Sequence, residues 1–159
     1  MSKQKFSIML LPMNKGKLLL QSFIYEKDEK TWDGFGSFYN DKKEIGMVAK
    51  TVYEQYFMNE ISLESFKERA KLNYLIDKPS GVVDLRVTVF LIELPMNSDV
   101  PQNCTWFEQE DIPYNKMHPA TAMWLPEILG GNGDTVHADI CVSQPKTHNK
   151  GIVTKFSLI

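Results

Sequence analysis

Few side chains in this sequence combine the type and the spacing that chemistry needs. Ile45, Val48, Val52 and Tyr56 recur every three or four positions, the mark of a helix with one buried face. Glu54 is the carboxylate of that stretch, with Thr51 and Gln55 beside it on one helical side. By itself Glu54 reads as a surface acid pairing with Lys50 one turn earlier, worth a few tenths of a kcal/mol. Trp32-Asp33-Gly34-Phe35-Gly36 is punctuated by glycines and must bend sharply or approach another backbone closely. Cys104 and Cys141 lie far apart with no CxxC spacing, and read as two reduced, partly buried thiols. His118 precedes a proline at a helix start, where it is either a solvated end residue or a ring that stacks on a ligand. His137 and His148 have no ligand spacing, and Glu108, Glu110 and Asp111 read as a solvated loop.

The elements that position these residues follow from patterning. Phe6–Pro12 and Lys17–Tyr25 are apolar strands around a turn at Asn14-Lys15-Gly16. The amphipathic helix runs from about Glu44 to Tyr56. Ser62–Leu72 is ambiguous between helix and strand, whereas Leu72–Ile76 reads as strand. Pro79-Ser80-Gly81 makes a turn into Val82–Leu94, the strongest strand signal in the chain. Thr105–Phe107 is a short strand, Pro119 opens a second helix that stops at Gly130-Gly131, and Val136–Ser143 and Ile152–Ile159 are closing strands. Strands, helix, strands, helix, strands make a mixed α+β domain, with no domain boundary visible across residues 1–159.

Three segments carry a family resemblance. Gly36 through Met58 has the length and punctuation of the Nudix box, G-x5-E-x7-R-E-U-x-E-E-x-G-U, where U is a bulky aliphatic residue, and Ala49–Gln55 is similar to its A-R-E-V-Y-E-E run. Trp32–Gly36 is close to the W-N-G-F-G-G opening of the branch that hydrolyses oxidised purine nucleoside triphosphates. Thr105–Tyr114 with Met117 resembles that branch's W-F-x-x-D-x-I-P-F-x-x-M, and Trp124 and Pro126 follow at matching distance. The resemblance implies a Nudix-type α/β/α sandwich with a mixed β-sheet and a box helix.

It also implies a Mg2+ or Mn2+ cofactor held by the box helix, and here the sequence departs. The acidic positions fall on Lys42, Thr51, Glu54 and Gln55, and the box arginine on Lys50, so Glu54 is the surviving carboxylate. Asp84 is a candidate borrowed acid from a neighbouring strand, and Asp41 and Glu44 flank the box. Where the branch grips a base, the matching positions are Phe23, Asp33, Gly36, His118 and Trp124, while its paired aspartates become Ala120 and Thr121. The expected partner is therefore a nucleotide or related pyrophosphate compound, with the metal weakly bound and hydrolysis weak or lost. Two alternatives stand beside this: an active Mg-dependent pyrophosphohydrolase using Glu54 with Asp84, and a non-catalytic protein-interaction domain. Trp32, Phe35, Trp106 and Trp124 also serve simply as packing aromatics.

Composition narrows the class. A net charge of -2 leaves no basic excess to neutralise a nucleic-acid backbone. The apolar run Phe6–Leu11 is too short to span a membrane and carries no cleavage pattern, so the expectation is a cytoplasmic protein without membrane attachment.

Overall fold

The computed structural model describes residues 3–24, 29–40, 42–95, 98–144 and 151–159. The expected hairpin forms: β1 (Lys3–Asn14) and β2 (Lys17–Ile24) are joined by Lys15 and Gly16, with φ of 46° and 83°. Two positive φ values in a two-residue loop match the twist of the strands they connect. Tyr25, the end of the expected strand, lies outside the described residues. β3 (Lys30–Asp33) pairs with β2, and β4 (Phe35–Tyr39) pairs with β1. Gly34 sits between them, where the chain passes from pairing with β2 to pairing with β1. A Cβ at Gly34 would come within 2.9 Å of both Leu11 Cδ2 and Met9 Cγ.

The ambiguous stretch after the box resolves as strand. Ser62 caps a single 3-10 turn at Leu63–Ser65, and β5 (Phe66–Lys78) begins directly after it. Pairing decides against a helix: β5 lies antiparallel to β6 (Gly81–Glu93) on one edge and parallel to β8 (Val136–Ser143) on the other. Backbone donors on both edges are thus satisfied while Ala70, Leu72 and Tyr74 turn into the core. β6 also runs parallel to β1, from Lys3 opposite Val83 to Met13 opposite Glu93. β7 (Cys104–Phe107) adds to β2 and β9 (Ile152–Leu158) to β8. The sheet order is β3-β2-β1-β6-β5-β8-β9, with β4 beside β1 and β7 beside β2.

A helix covers each face. α1 (Ile45–Phe57) packs Val48, Ala49, Val52, Tyr53 and Phe57 against Ile8, Leu10, Phe35, Phe90 and Ile92. α2 (Pro119–Leu129) packs Ala120, Trp124, Leu125 and Ile128 against Leu11, Leu72, Tyr74 and Val89. The expected α/β/α sandwich with a mixed sheet is therefore observed. α1 starts where Glu44 accepts the amides of Gly46 and Met47 at 3.0 and 3.1 Å, and ends at Met58 in the left-handed conformation, φ 59°. Among the described residues no helix is long and apolar enough to cross a membrane.

Candidate functional site

The box helix presents Glu54 half-buried, between exposed Thr51 and Gln55. No ion pair forms between Glu54 and Lys50; the ion pairs among the described residues are Lys17–Glu108, Lys71–Glu68 and Arg86–Asp84. The Thr51 hydroxyl is turned back onto the Met47 carbonyl at 3.0 Å. The glycine position of the box is Phe57, which stacks on Tyr53 with ring centroids 4.8 Å apart and packs on Phe35 at 5.1 Å. Tyr56 donates its hydroxyl to the Gly36 carbonyl at 2.9 Å. Where the family motif has a glycine this helix has Phe57, which with Tyr53 and Tyr56 anchors it to the sheet.

Strand register decides the borrowed acids. Tyr56 and Phe57 meet Gly36 and Phe35, which stand opposite Met9 and Leu10, and these pair with Val89 and Phe90. Asp84 is five to six residues back along β6, on the order of 17–20 Å at strand rise. There it binds Arg86 at 2.9 Å, beside Asn73 and Asp139, which share a 2.9 Å hydrogen bond. Glu54 and Asp84 are not brought together. Glu44 spends both carboxylate oxygens on the start of α1, and Asp41 lies outside the described residues. Among those residues, no group of three or more His, Cys, Asp or Glu converges as a metal site. One carboxylate, a hydroxyl engaged elsewhere and an exposed amide do not fit a resident octahedral cation, which is bound through carboxylates and several further oxygens.

The base side is assembled differently. Asp33 ends β3, and its Oδ1 accepts the Gly34 amide at 2.8 Å. Burial pushes its carboxyl up to about 6, against the lowering effect of that amide. Its charge is felt by Tyr74, whose hydroxyl burial drives well above the usual phenol range, opposed by a hydrogen bond from Trp124. Trp124 is wholly buried and donates Nε1 to the Tyr74 hydroxyl at 2.8 Å. Tyr74 and Trp124 thus form a buried polar pair within an apolar cluster, with the Asp33 charge near enough to act on the tyrosine. His118 caps α2, its Nδ1 accepting the Ala120 amide at 3.1 Å, and the 3-10 turn Tyr114–Lys116 just before it lies against β3. Phe23 is 40% exposed on β2, opposite Thr31. Ala120 and Thr121, at the positions of the paired aspartates, are buried.

Tyr74 was not among the residues singled out in the sequence, although a tyrosine at an inward position of a strand needs a partner for its hydroxyl. The other singled-out groups are structural or exposed. Glu108 pairs with Lys17 at 3.4 Å, Cys104 and Cys141 are free and partly buried, His137 is exposed on β8, and His148 lies outside the described residues.

No family model matches the sequence. No curated protein matches it either. Solved structures match over nearly the whole chain. The mutator MutT protein from Bacillus halodurans superposes with TM-score 0.72 at 10% identity, covering 97% of each chain. A Nudix hydrolase from Nitrosomonas europaea gives 0.59 at 12% identity, over 91% of this chain and 81% of that one. The ORF135 protein of E. coli gives 0.58 at 13% identity, over 81% and 88%. The chain has the Nudix fold of the MutT-like hydrolases.

Proposed function

We propose that this protein binds a nucleoside triphosphate or a nucleoside diphosphate-linked compound beside α1 of its Nudix fold and hydrolyses it slowly or not at all. The observation that carries the reading is the box helix, which offers Glu54 as its one half-buried carboxylate while Asp84 and Glu44 are committed elsewhere. Mg2+ or Mn2+ enters as the counter-ion of the ligand's phosphates, held weakly if at all by Glu54. Lys50, one helical turn before Glu54, and Lys42 place positive charge where the family has the box arginine and its first acid.

The ligand's ring system is assigned to the side of Asp33, Gly36, Phe23 and His118, with Trp124 behind them holding Tyr74. An exposed phenylalanine and a half-buried imidazole are faces on which a base stacks. Asp33, whose carboxyl burial raises to about 6, accepts at the ring edge above that pH and donates below it. The absence of acids at Ala120 and Thr121 argues for a ring other than the oxidised purines of the resembled branch.

The test is a thermal-shift screen of nucleoside triphosphates, ADP-ribose and dinucleotide polyphosphates, with and without Mg2+, run beside a phosphate-release assay. A bound ligand at one hundred times its Kd stabilises by about 2.7 kcal/mol, so at least one compound should raise the melting temperature while product stays near background. Efficient metal-driven cleavage, or no shift with any compound at high concentration, defeats the proposal. In Glu54→Gln the shift should persist.

A further inference from the structure

On the α2 side of the sheet, the end of the β1–β2 hairpin and the adjoining ends of β5 and β6 form a cleft of about 400 Å3, lined by neither Glu54 nor Asp33. Its floor is apolar, Met13 and Leu91, and its polar groups are Ser65, Lys67, Arg69 and Glu93. A volume of this order suits a small organic ligand.

The placement of Arg69 follows from an irregularity in β5. Glu68 pairs with Phe90 and Ala70 with Val89, so one extra residue sits between them and Arg69 leaves the ladder. Ala70 takes the inward position, and Arg69 and Lys67 both line the cleft. One guanidinium nitrogen, Nη1, is tied to the Glu68 carbonyl at 3.2 Å. The other, Nη2, lies 3.8 Å from the position a Gly133 Cβ would take, so the loop after α2 backs it. Neither cation has a carboxylate among the described residues: Glu68 is paired with Lys71 at 3.9 Å, and the cleft's own Glu93 accepts the Lys15 amide at 3.3 Å. Two unpaired cations and a hydroxyl over an apolar floor match a phosphate ester on an apolar body. Arginine forks onto the oxyanion, lysine adds a point charge, and the floor covers the body.

We propose that this cleft binds a small phosphomonoester with an apolar organic group, at a site lined by none of the residues assigned to the nucleotide. The bulge that frees Arg69 is what builds it. The inference does not depend on nucleotide binding, because its ligand shifts would map to other residues.

The experiment is a titration of 15N-labelled protein with phenyl phosphate, inorganic phosphate and benzoate. Phenyl phosphate should move the amides of residues 65–69 and 91–93 and bind more tightly than the other two. Arg69→Gln should weaken it about tenfold or more, Arg69→Lys by less, and Glu93→Gln should tighten it by removing the one negative charge. Lys67→Gln, at an exposed position, is the second variant, and a native-like spectrum certifies each fold. The proposal falls if the shifts cluster around Asp33 and Glu54, if Arg69→Gln and Lys67→Gln bind as the parent does, or if benzoate or free phosphate binds as tightly as phenyl phosphate.

Discussion

Asp33 shows how one carboxyl links stability to a candidate binding role. Burial raises it from an ordinary 3.8 to about 6. The folded chain therefore holds a proton that the unfolded chain has released between those values. An acid raised in this way favours folding least where it is charged. Its penalty is absent below about pH 4, grows as pH rises towards 6, and is full above that. Two pH units correspond to at most about 3 kcal/mol at 1.36 kcal/mol per unit, and the solvent contact that Asp33 retains reduces it. Asp33→Asn should therefore raise stability at pH 7 by about 1–2 kcal/mol and flatten the fall between pH 4 and 6, as read from urea midpoints at several pH values. If the ring edge of a ligand is read here, the same change should alter the pH dependence of binding.

At the scale of the element, α1 is held by its N-cap and by its aromatic contacts with the sheet. Glu44 satisfies two of the amides that every helix start leaves open. Glu44→Ala should cost about 1 kcal/mol, the usual loss for an N-cap, read as a lower urea midpoint with an unchanged slope. Because Thr51 and Gln55 are exposed, carboxylates can be restored there without disturbing the core. Thr51→Glu with Gln55→Glu would give the helix three acids on one side with Glu54. The double variant should show Mn2+-dependent thermal stabilisation that the parent chain lacks. No such gain would mean that the metal site needs more than the helix.

For the whole molecule, two apolar layers on either face of one sheet determine what remains available for a site. In the α2 layer the Trp124–Tyr74 hydrogen bond is buried, and removing either partner strands the other. Trp124→Phe and Tyr74→Phe should each cost about 1–3 kcal/mol, and the double variant less than their sum by about 1 kcal/mol, as a double-mutant cycle in urea would show. Gly34 marks the point where the chain changes its pairing partner from β2 to β1. Gly34→Ala would drive a methyl to 2.9 Å from Leu11 and Met9, so its cost should be about 1–3 kcal/mol, as for overpacking elsewhere.

Much of this was legible in the residues. The three-and-four periodicity of Ile45, Val48 and Val52 specifies α1, the alternation of β6 specifies a strand, and Lys15-Gly16 specifies a hairpin, because each depends on neighbours a few positions away. The resemblance to the Nudix box, read position by position, left Glu54 as its one expected carboxylate. Only the tertiary structure decided that 66–72 is strand, since that depended on β6 and β8 flanking it. It also placed Asp84 with Arg86 and far from Glu54, buried Asp33 near Tyr74, and released Arg69 through a bulge. Those outcomes are set by register and burial between residues dozens of positions apart, where no local propensity reaches.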